Sequence, residues 1–293
     1  MMEQKTYNIL IDTDIGGDVD DALALALALN TASVRIVGIT NVYLANAWRA
    51  GVTKELLRVY GREDIPVCTG AEKPLIGWWD ESRIPNSSPD YGEYRGEKLP
   101  HAADFIIQKA EEVDDLILLA IGPLTNVGIA LAKAPHIAGR LKIYMMGGQV
   151  NKAHPEWNIV CDPEAARIVF ESGADITMVG LDVTNRCQFT RVEVDEIAKT
   201  PKPGASRLGV MMEQFIVNFG YLPILHDPLA LAALLWPELV KLERKSILIE
   251  TRGEFTRGLT IDCDWGAGHP AMVATDVDVN AFKRRLIEVL KTV

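Results

Sequence analysis

Short apolar runs and helix-forming runs alternate along this chain from its first residues. Residues 7–11, Tyr-Asn-Ile-Leu-Ile, end at Asp12 and have the pattern of a buried strand. Residues 19–30 place Ala and Leu on nearly every helical face, which predicts a helix buried all round. A second strand is predicted over 34–40 and a helix over 47–60. Further strands are predicted over 116–121, 141–146 and 176–181, each followed by a loop rich in Gly, Pro, Asn or Asp. Helices are predicted over 102–112, 124–134 and 163–172, with a proline at or just before the start of the last two. Beyond residue 245 the pattern changes to short strands over 246–251, 255–261 and 271–275, then a final helix. This rhythm indicates an α/β fold, an open, mainly parallel (mixed) sheet flanked by helices in the Rossmann-like manner. No repeat, low-complexity tract or linker interrupts it, so residues 1–293 are expected to form a single domain. The least regular stretch, 77–100, has the length and composition of a lid or binding loop.

Composition narrows the partners. Hydrophobic residues make up 48% of the 293 positions and charged residues 24%, the balance of a globular chain with ample core material. A formal net charge of −10 argues against a nucleic-acid surface, which needs clustered Lys and Arg, but leaves room for a small substrate or a divalent cation. No basic start leads into an apolar segment, and no apolar run reaches membrane-spanning length, so no membrane partner is expected and the expected compartment is the cytoplasm. The four cysteines, Cys68, Cys161, Cys187 and Cys263, are scattered without a CxxC pair and read as buried thiols.

Candidate chemistry begins at the end of the first strand. Ligands bind parallel sheets outside the carboxyl ends of their strands, and Asp12 and Asp14 lie at such an end. In extended backbone their side chains point the same way. Asp18, Asp20 and Asp21 then crowd the first turn of the next helix, where the helix dipole favours negative charge. Five carboxylates within ten residues repel one another, and a hard, oxygen-seeking ion, calcium or magnesium, would relieve them. The bland alternative is that Asp18 and Asp20 only cap the helix. An EF-hand loop would need a preceding helix and a Glu at its twelfth position, where Leu23 stands. An Asp-x-Asp phosphatase would make Asp12 the nucleophile and Asp14 the acid, but leaves Asp20 and Asp21 unexplained.

The segment 9–29 resembles the N-terminal signature of the inosine-uridine preferring nucleoside hydrolase family, with two extra residues in its aspartate motif. Ala120-Ile121-Gly122-Pro123-Leu124-Thr125-Asn126, Met146-Gly147-Gly148, Glu156-Trp157-Asn158, Asp162-Pro163-Glu164-Ala165-Ala166 and His226-Asp227-Pro228 are similar to further family segments, in the same order. The tail, Ala274-Thr275-Asp276-Val277-Asp278, resembles the closing family strand. The resemblance implies the nucleoside hydrolase fold, and hydrolysis of the N-glycosidic bond of a ribonucleoside to free base and ribose, a salvage reaction. It also implies Ca²⁺ held by Asp14, Asp21, Asp227 and the backbone carbonyl of Thr125, with Asp14 as general base toward a water on the metal. Asp20, Asn151, Glu156 and Asn158 would grip the ribose, Met146 would lie near its 5′ end, and Trp157 would stand beside the sugar. Asp12 would brace the loop. His226 would donate a proton to the leaving base or hydrogen-bond the substrate. Relatives of this kind form homodimers or homotetramers.

The chain departs from the family pattern at three places. Ala45 stands where relatives carry an Asn or Asp that touches the ribose, with Asn41 or Asn46 as substitutes. The loop between Gly148 and Glu156 is shorter than usual. After Pro74 a histidine common in relatives is missing, and Trp78, Trp79, Tyr91 and Tyr94 are present instead. Trp78 and Trp79 would stack on the base, or else pack a lid or an oligomer interface. Asp18 has no family role. A nucleoside-binding protein without turnover is the reading outside catalysis.

Overall fold

The structure, a computed structural model, describes residues 5–77, 79, 100–263 and 265–293. The first half of the fold runs β1 (Tyr7–Thr13), α1 (Asp20–Asn30), β2 (Val34–Asn41), α2 (Asn46–Val59) and β3 (Val67–Thr69). Then come α3 (Ala102–Glu112), β4 (Ile117–Ala120), α4 (Thr125–Lys133), β5 (Lys142–Met146), α5 (Trp157–Cys161), α6 (Pro163–Glu171) and β6 (Asp175–Val179). Four helices follow, α7 (Leu181–Thr184), α8 (Arg191–Ala198), α9 (Pro203–Phe219) and α10 (His226–Leu235). The chain closes with β7 (Val240–Ile249), β8 (Thr260–Asp262), β9 (His269–Val277) and α11 (Val279–Leu290).

The strands form one sheet in the order β3-β2-β1-β4-β5-β6-β9-β7-β8. Pairing is parallel from β3 through to β9, and β7 runs antiparallel to both β9 and β8. Strand order reverses between β1 and β4, which opens the crevice where such sheets bind ligands. Both faces are covered, because successive strand residues point to opposite sides and both sets are apolar. Ile9 and Ile11 of β1 and Ile117 and Leu119 of β4 pack under α1 and α10, while Leu10 and Leu118 pack under α3, α4 and α6. No helix among the described residues is long and apolar enough to cross a membrane. All four cysteines are buried free thiols.

The early strands and helices that the pattern predicts form within a residue or two at most ends, while β3 and α5, three and five residues long, are not predicted because so short a run carries no period. Three differences have physical causes. The strand predicted over 246–251 is the second half of β7, which starts at Val240, where Lys241, Glu243 and Arg244 interrupt the apolar signal. The expected strand over 255–261 shrinks to Thr260–Asp262, because Phe255 is 90% exposed and Gly258 turns the chain at φ +86°. Pattern assigned nothing between residues 181 and 246, yet four helices lie there. Among them α10 is almost entirely Leu and Ala and buried, so it shows no amphipathic stripe. The region expected to be a lid, with Trp78, Tyr91 and Tyr94, lies outside the described residues apart from Gly77, Trp79 and Pro100.

The turn after β1 depends on Gly16, at φ +108°, where a Cβ would stand 2.5 Å from the Trp48 ring. Gly16→Ala is expected to destabilise the fold by about 1–3 kcal/mol through backbone strain alone, read as a lower denaturant midpoint; an unchanged midpoint would show that the turn is adaptable.

Candidate active site

The cavity at the switch point has a volume of about 960 Å³. Its floor is acidic. Asp14 leaves the end of β1, Asp20 and Asp21 open α1, and Asp227 lies in the first turn of α10; all four line the cavity. Carboxylate oxygens of Asp20, Asp21 and Asp227 lie within 4.8 Å of one another, and all three residues are buried. Asp20 Oδ2 accepts the Asp227 backbone N–H at 3.2 Å, so the starts of α1 and α10 are tied together. Thr13 Oγ1 donates to Asp21 Oδ1 and accepts the Ile15 N–H at 3.0 Å, which fixes the turn between strand and helix.

Burial raises the carboxyls of Asp20, Asp21 and Asp227 well above the ordinary aspartate value, and their neighbours' charges raise them further. Asp14 is raised by burial and lowered by Arg49. The donor set is entirely oxygen and strongly anionic, which suits a hard divalent cation. Asp12 differs in kind. It is fully buried, its Oδ1 accepts from Thr40 Oγ1 at 2.5 Å and Asn126 Nδ2 at 2.8 Å, and burial pushes its pKa up to about 7. It braces the strand ends and does not line the cavity.

Glu156 caps α5, its carboxylate accepting the N–H groups of Gly148, Asn158 and Ile159 at 2.9–3.1 Å. Burial still pushes its pKa up to about 7. Asn158 gives its amide hydrogens to the carbonyls of Ile121 and Met146, at 3.3 and 3.2 Å, across the ends of β4 and β5. Opposite, His226 opens α10 with Nδ1 2.7 Å from Thr184 Oγ1, and burial lowers the ring's pKa to about 4.

The sequence profile described as "inosine-uridine preferring nucleoside hydrolase" matches residues 9–284. The chain belongs to this family. Among its relatives, the non-specific ribonucleoside hydrolase RihC of Escherichia coli O1:K1 is 34% identical over 96% of this chain and 97% of the relative. The protein of that name from Salmonella paratyphi C is 32% identical over 97% of each. Among solved structures, a plant nucleoside hydrolase superposes with a TM-score of 0.88 at 28% identity, over 98% of this chain and 99% of that one. The purine-preferring ribonucleoside hydrolase from Gardnerella vaginalis gives 0.84 at 29% identity, over 97% and 98%. The chain is therefore a nucleosidase, hydrolysing the N-glycosidic bond of ribonucleosides.

Of the residues that the sequence singled out in the hydrolase, the cavity gathers Asp14, Asp20, Asp21, Met146, Glu156, Trp157, Asn158, His226 and Asp227. Thr125 and Asn151 are not among its lining residues. Thr125 is fully buried at the start of α4 with its hydroxyl on Asp162 Oδ2 at 2.7 Å. Asn151 is exposed; Asp182 holds its backbone N–H at 2.8 Å, and its side-chain oxygen accepts from Gln149. The tight triple of carboxylates takes in Asp20, expected at the ribose, and does not include Asp14. Asp18 lines the cavity edge, its Oδ1 accepting the next residue's N–H, that of Val19, at 2.5 Å.

Neither asparagine offered as a substitute for Ala45 reaches the cavity. Asn41 donates to Thr53 Oγ1 at 3.2 Å, and Asn46 to the Tyr43 and Ala71 carbonyls at 2.8 and 3.0 Å. Left-handed backbone at Tyr43 (φ 75°) and Ala45 (φ 60°) instead turns Tyr43 and Arg49 into the cavity wall. Trp79 is buried, packs on Tyr43 with centroids 4.5 Å apart and donates to the Cys161 carbonyl at 2.7 Å, so it supports the wall and does not line it. Phe219 and Tyr221, from the end of α9 and the loop after it, form a second aromatic wall. Sequence reasoning missed Tyr43, Arg49, His154, Phe219 and Tyr221. Only an arginine on the otherwise buried face of α2 offered a signal.

Arg49 is 1% exposed. Its Nε donates to the Leu44 carbonyl at 2.7 Å, and Nη1 to the carbonyls of Asp14 and, at 3.0 Å, Ile15. Its guanidinium lies 5.2 Å from the Tyr43 ring centre. Arg49→Met would strand three carbonyls and remove the cation nearest the acidic floor. We expect a stability loss of about 3 kcal/mol or more in the metal-free protein, measured by denaturant unfolding; a loss below 1 kcal/mol would show that the loop does not depend on this charge.

Proposed function

We propose that this hydrolase is calcium-dependent and that Asp14 is its general base. The convergence of Asp14, Asp20, Asp21 and Asp227 in one cavity with His226, Glu156 and Asn158 supports this reading most. Asp14, Asp21, Asp227 and the Thr125 carbonyl would hold the ion, an all-oxygen set of the kind calcium takes. When bound, calcium supplies a fixed positive charge that lowers the pKa of a coordinated water and orients substrate hydroxyls.

Asp14 removes the proton of the attacking water as its oxygen bonds to the anomeric carbon. The carbon–nitrogen bond breaks with its electron pair going to the base, and the carboxylates of Asp20, Asp21 and Asp227 stabilise the positive charge that spreads over the ribose. Asp20, with one oxygen held by the Asp227 N–H, offers the other to a ribose hydroxyl, and Asn158 offers its side-chain oxygen. Glu156 accepts a further hydroxyl and Met146 packs against the sugar. Trp157 and Tyr43, edge to face at 6.4 Å, bound the cavity on one side. His226, its Nδ1 engaged by Thr184, directs Nε2 at the departing base and supplies a proton or hydrogen bond to it. A phosphatase would need a free cation at the cavity to clamp phosphate. Arg49 is the Lys or Arg that lines it among the described residues, and its Nε and Nη1 groups are occupied by carbonyls, which leaves only Nη2 for a phosphate.

The test is a panel of purine and pyrimidine ribonucleosides scored for released reducing sugar, with Ca²⁺, after EDTA, and after Ca²⁺ is restored. Turnover is expected to vanish with EDTA and return with Ca²⁺; turnover indifferent to chelation would overturn the metal reading. Tight binding without ribose release would favour a nucleoside-binding protein. Asp14→Ala is expected to lower turnover by roughly 10²–10⁴-fold with the fold retained, and wild-type rates in that variant would show the base was misassigned.

A further inference from the structure

His226 is held by an unusually complete frame. The last residue of α7, Thr184, is fully buried, stands behind the cavity wall and places its hydroxyl 2.7 Å from His226 Nδ1. Both partners are fixed by backbone. Thr184 N–H donates to the Gly180 carbonyl at 3.2 Å, and Leu181 N–H to the Gly148 carbonyl at 2.9 Å, which pins α7 to the end of β5. Gly180 packs so tightly there that a Cβ would stand 2.4 Å from the Gly148 carbonyl oxygen. The segment leaving α7 is in turn zipped to the segment entering α10. Cys187 accepts the Leu225 N–H at 2.8 Å, Gln188 and Ile224 form an isolated antiparallel bridge, and Phe189 donates to the Pro223 carbonyl at 3.0 Å. On the other side of His226, the Asp227 N–H is taken by Asp20. Little freedom is left to the imidazole except rotation about its own side chain, and the Thr184 hydroxyl removes that.

We propose that Thr184 is a positioning residue for departure of the base. A hydroxyl both donates and accepts. In donating to Nδ1 it selects the tautomer with its hydrogen on Nε2, the nitrogen left to face the cavity, and in accepting from Nδ1–H it holds the same ring orientation for a protonated ring. In both of these states, the neutral ring that accepts from Thr184 and the protonated ring that donates to it, Nε2 presents an N–H to the ring nitrogen that leaves. The inference rests on the reading of His226 as the partner of the leaving base.

The test uses the calcium-loaded enzyme on two substrates. One is a natural ribonucleoside, whose base needs a proton or hydrogen bond to leave. The other is p-nitrophenyl β-D-riboside, whose phenolate leaves without that help. Thr184→Val keeps the shape and removes the hydrogen bond. It is expected to lower kcat on the nucleoside by roughly 10²-fold, with KM little changed and the nitrophenyl riboside turned over at close to the wild-type rate. Thr184→Ser should restore most of the nucleoside rate. His226→Gln serves as the control and should slow the nucleoside at least as much while sparing the nitrophenyl riboside.

Equal losses on both substrates in Thr184→Val would assign Thr184 a merely structural role and overturn the inference. An unchanged nucleoside rate in Thr184→Val, beside a slow His226→Gln, would overturn it while the reading of His226 stands. A fast His226→Gln would remove that reading and the inference with it. Should Thr184→Val fail to fold, Thr184→Ala and Thr184→Ser carry the same comparison, and a nucleoside rate as high in the alanine variant as in the serine variant would overturn it.

Discussion

Repulsion among carboxylates held out of water sets the terms for everything around them. At 4.8 Å and an effective dielectric constant near 20, two such charges repel by about 3–4 kcal/mol, and Asp20, Asp21 and Asp227 make three pairs at or within that separation. The sum rivals the whole stability of an ordinary domain, about 5–15 kcal/mol. The fold supplies several offsets: the positive N-terminal ends of α1 and α10 meet at the cluster, Thr13 donates to Asp21, and Arg49 sits behind Asp14. These leave the acids raised well above their ordinary pKa, so the cluster is built for a cation and not for a solvated acidic surface.

The motifs outside the cluster serve it mostly by bracing. Asn126 donates to Asp12 at 2.8 Å and to the Asn41 carbonyl at 3.0 Å while accepting the Ala71 N–H, which laces together the ends of β1, β2 and β3. Thr125 ties α4 to Asp162, and Asp162 caps α6 and takes the Leu75 N–H at 2.9 Å. Gly122 lacks a side chain because a Cβ there would stand 2.9 Å from the Asp14 backbone nitrogen. The Gly-Pro-Leu-Thr-Asn and Asp-Pro-Glu-Ala-Ala segments are thus halves of one scaffold that keeps Asp14 at the crevice.

The departures concentrate on one side of the cavity. Where the pattern offered Ala45, Asn41 or Asn46, strained backbone brings Tyr43 and Arg49 instead, and the aromatic Trp79–Tyr43–Trp157 series lines up behind and along the wall. A second set, Phe215, Phe219 and Tyr221, clusters with centroids 4.8–6.2 Å apart at the end of α9. This side of the cavity is an aromatic and cationic surface that stands beside the acidic floor.

Sequence alone determined what local pattern controls. The two-residue alternation of β1 and β4, apolar on both faces, required a doubly covered parallel sheet. The aspartates that follow β1 had to sit at a strand end and a helix start, and their company of ordered motifs was specific enough to imply the reaction class. Tertiary structure decided which of these groups meet. Asp20 and Asp227 are 207 residues apart in the chain and share one hydrogen bond; Thr184 and His226 are 42 apart and share another. Neither pairing leaves a periodic trace, because each depends on how α7 and α10 dock against the sheet. The same holds for Arg49, whose partners are backbone carbonyls that any sequence supplies, and for Asn151, whose loop is turned away by Asp182. Spacing along a chain constrains the direction of a side chain within its own element, and only the packing of elements determines what that side chain faces.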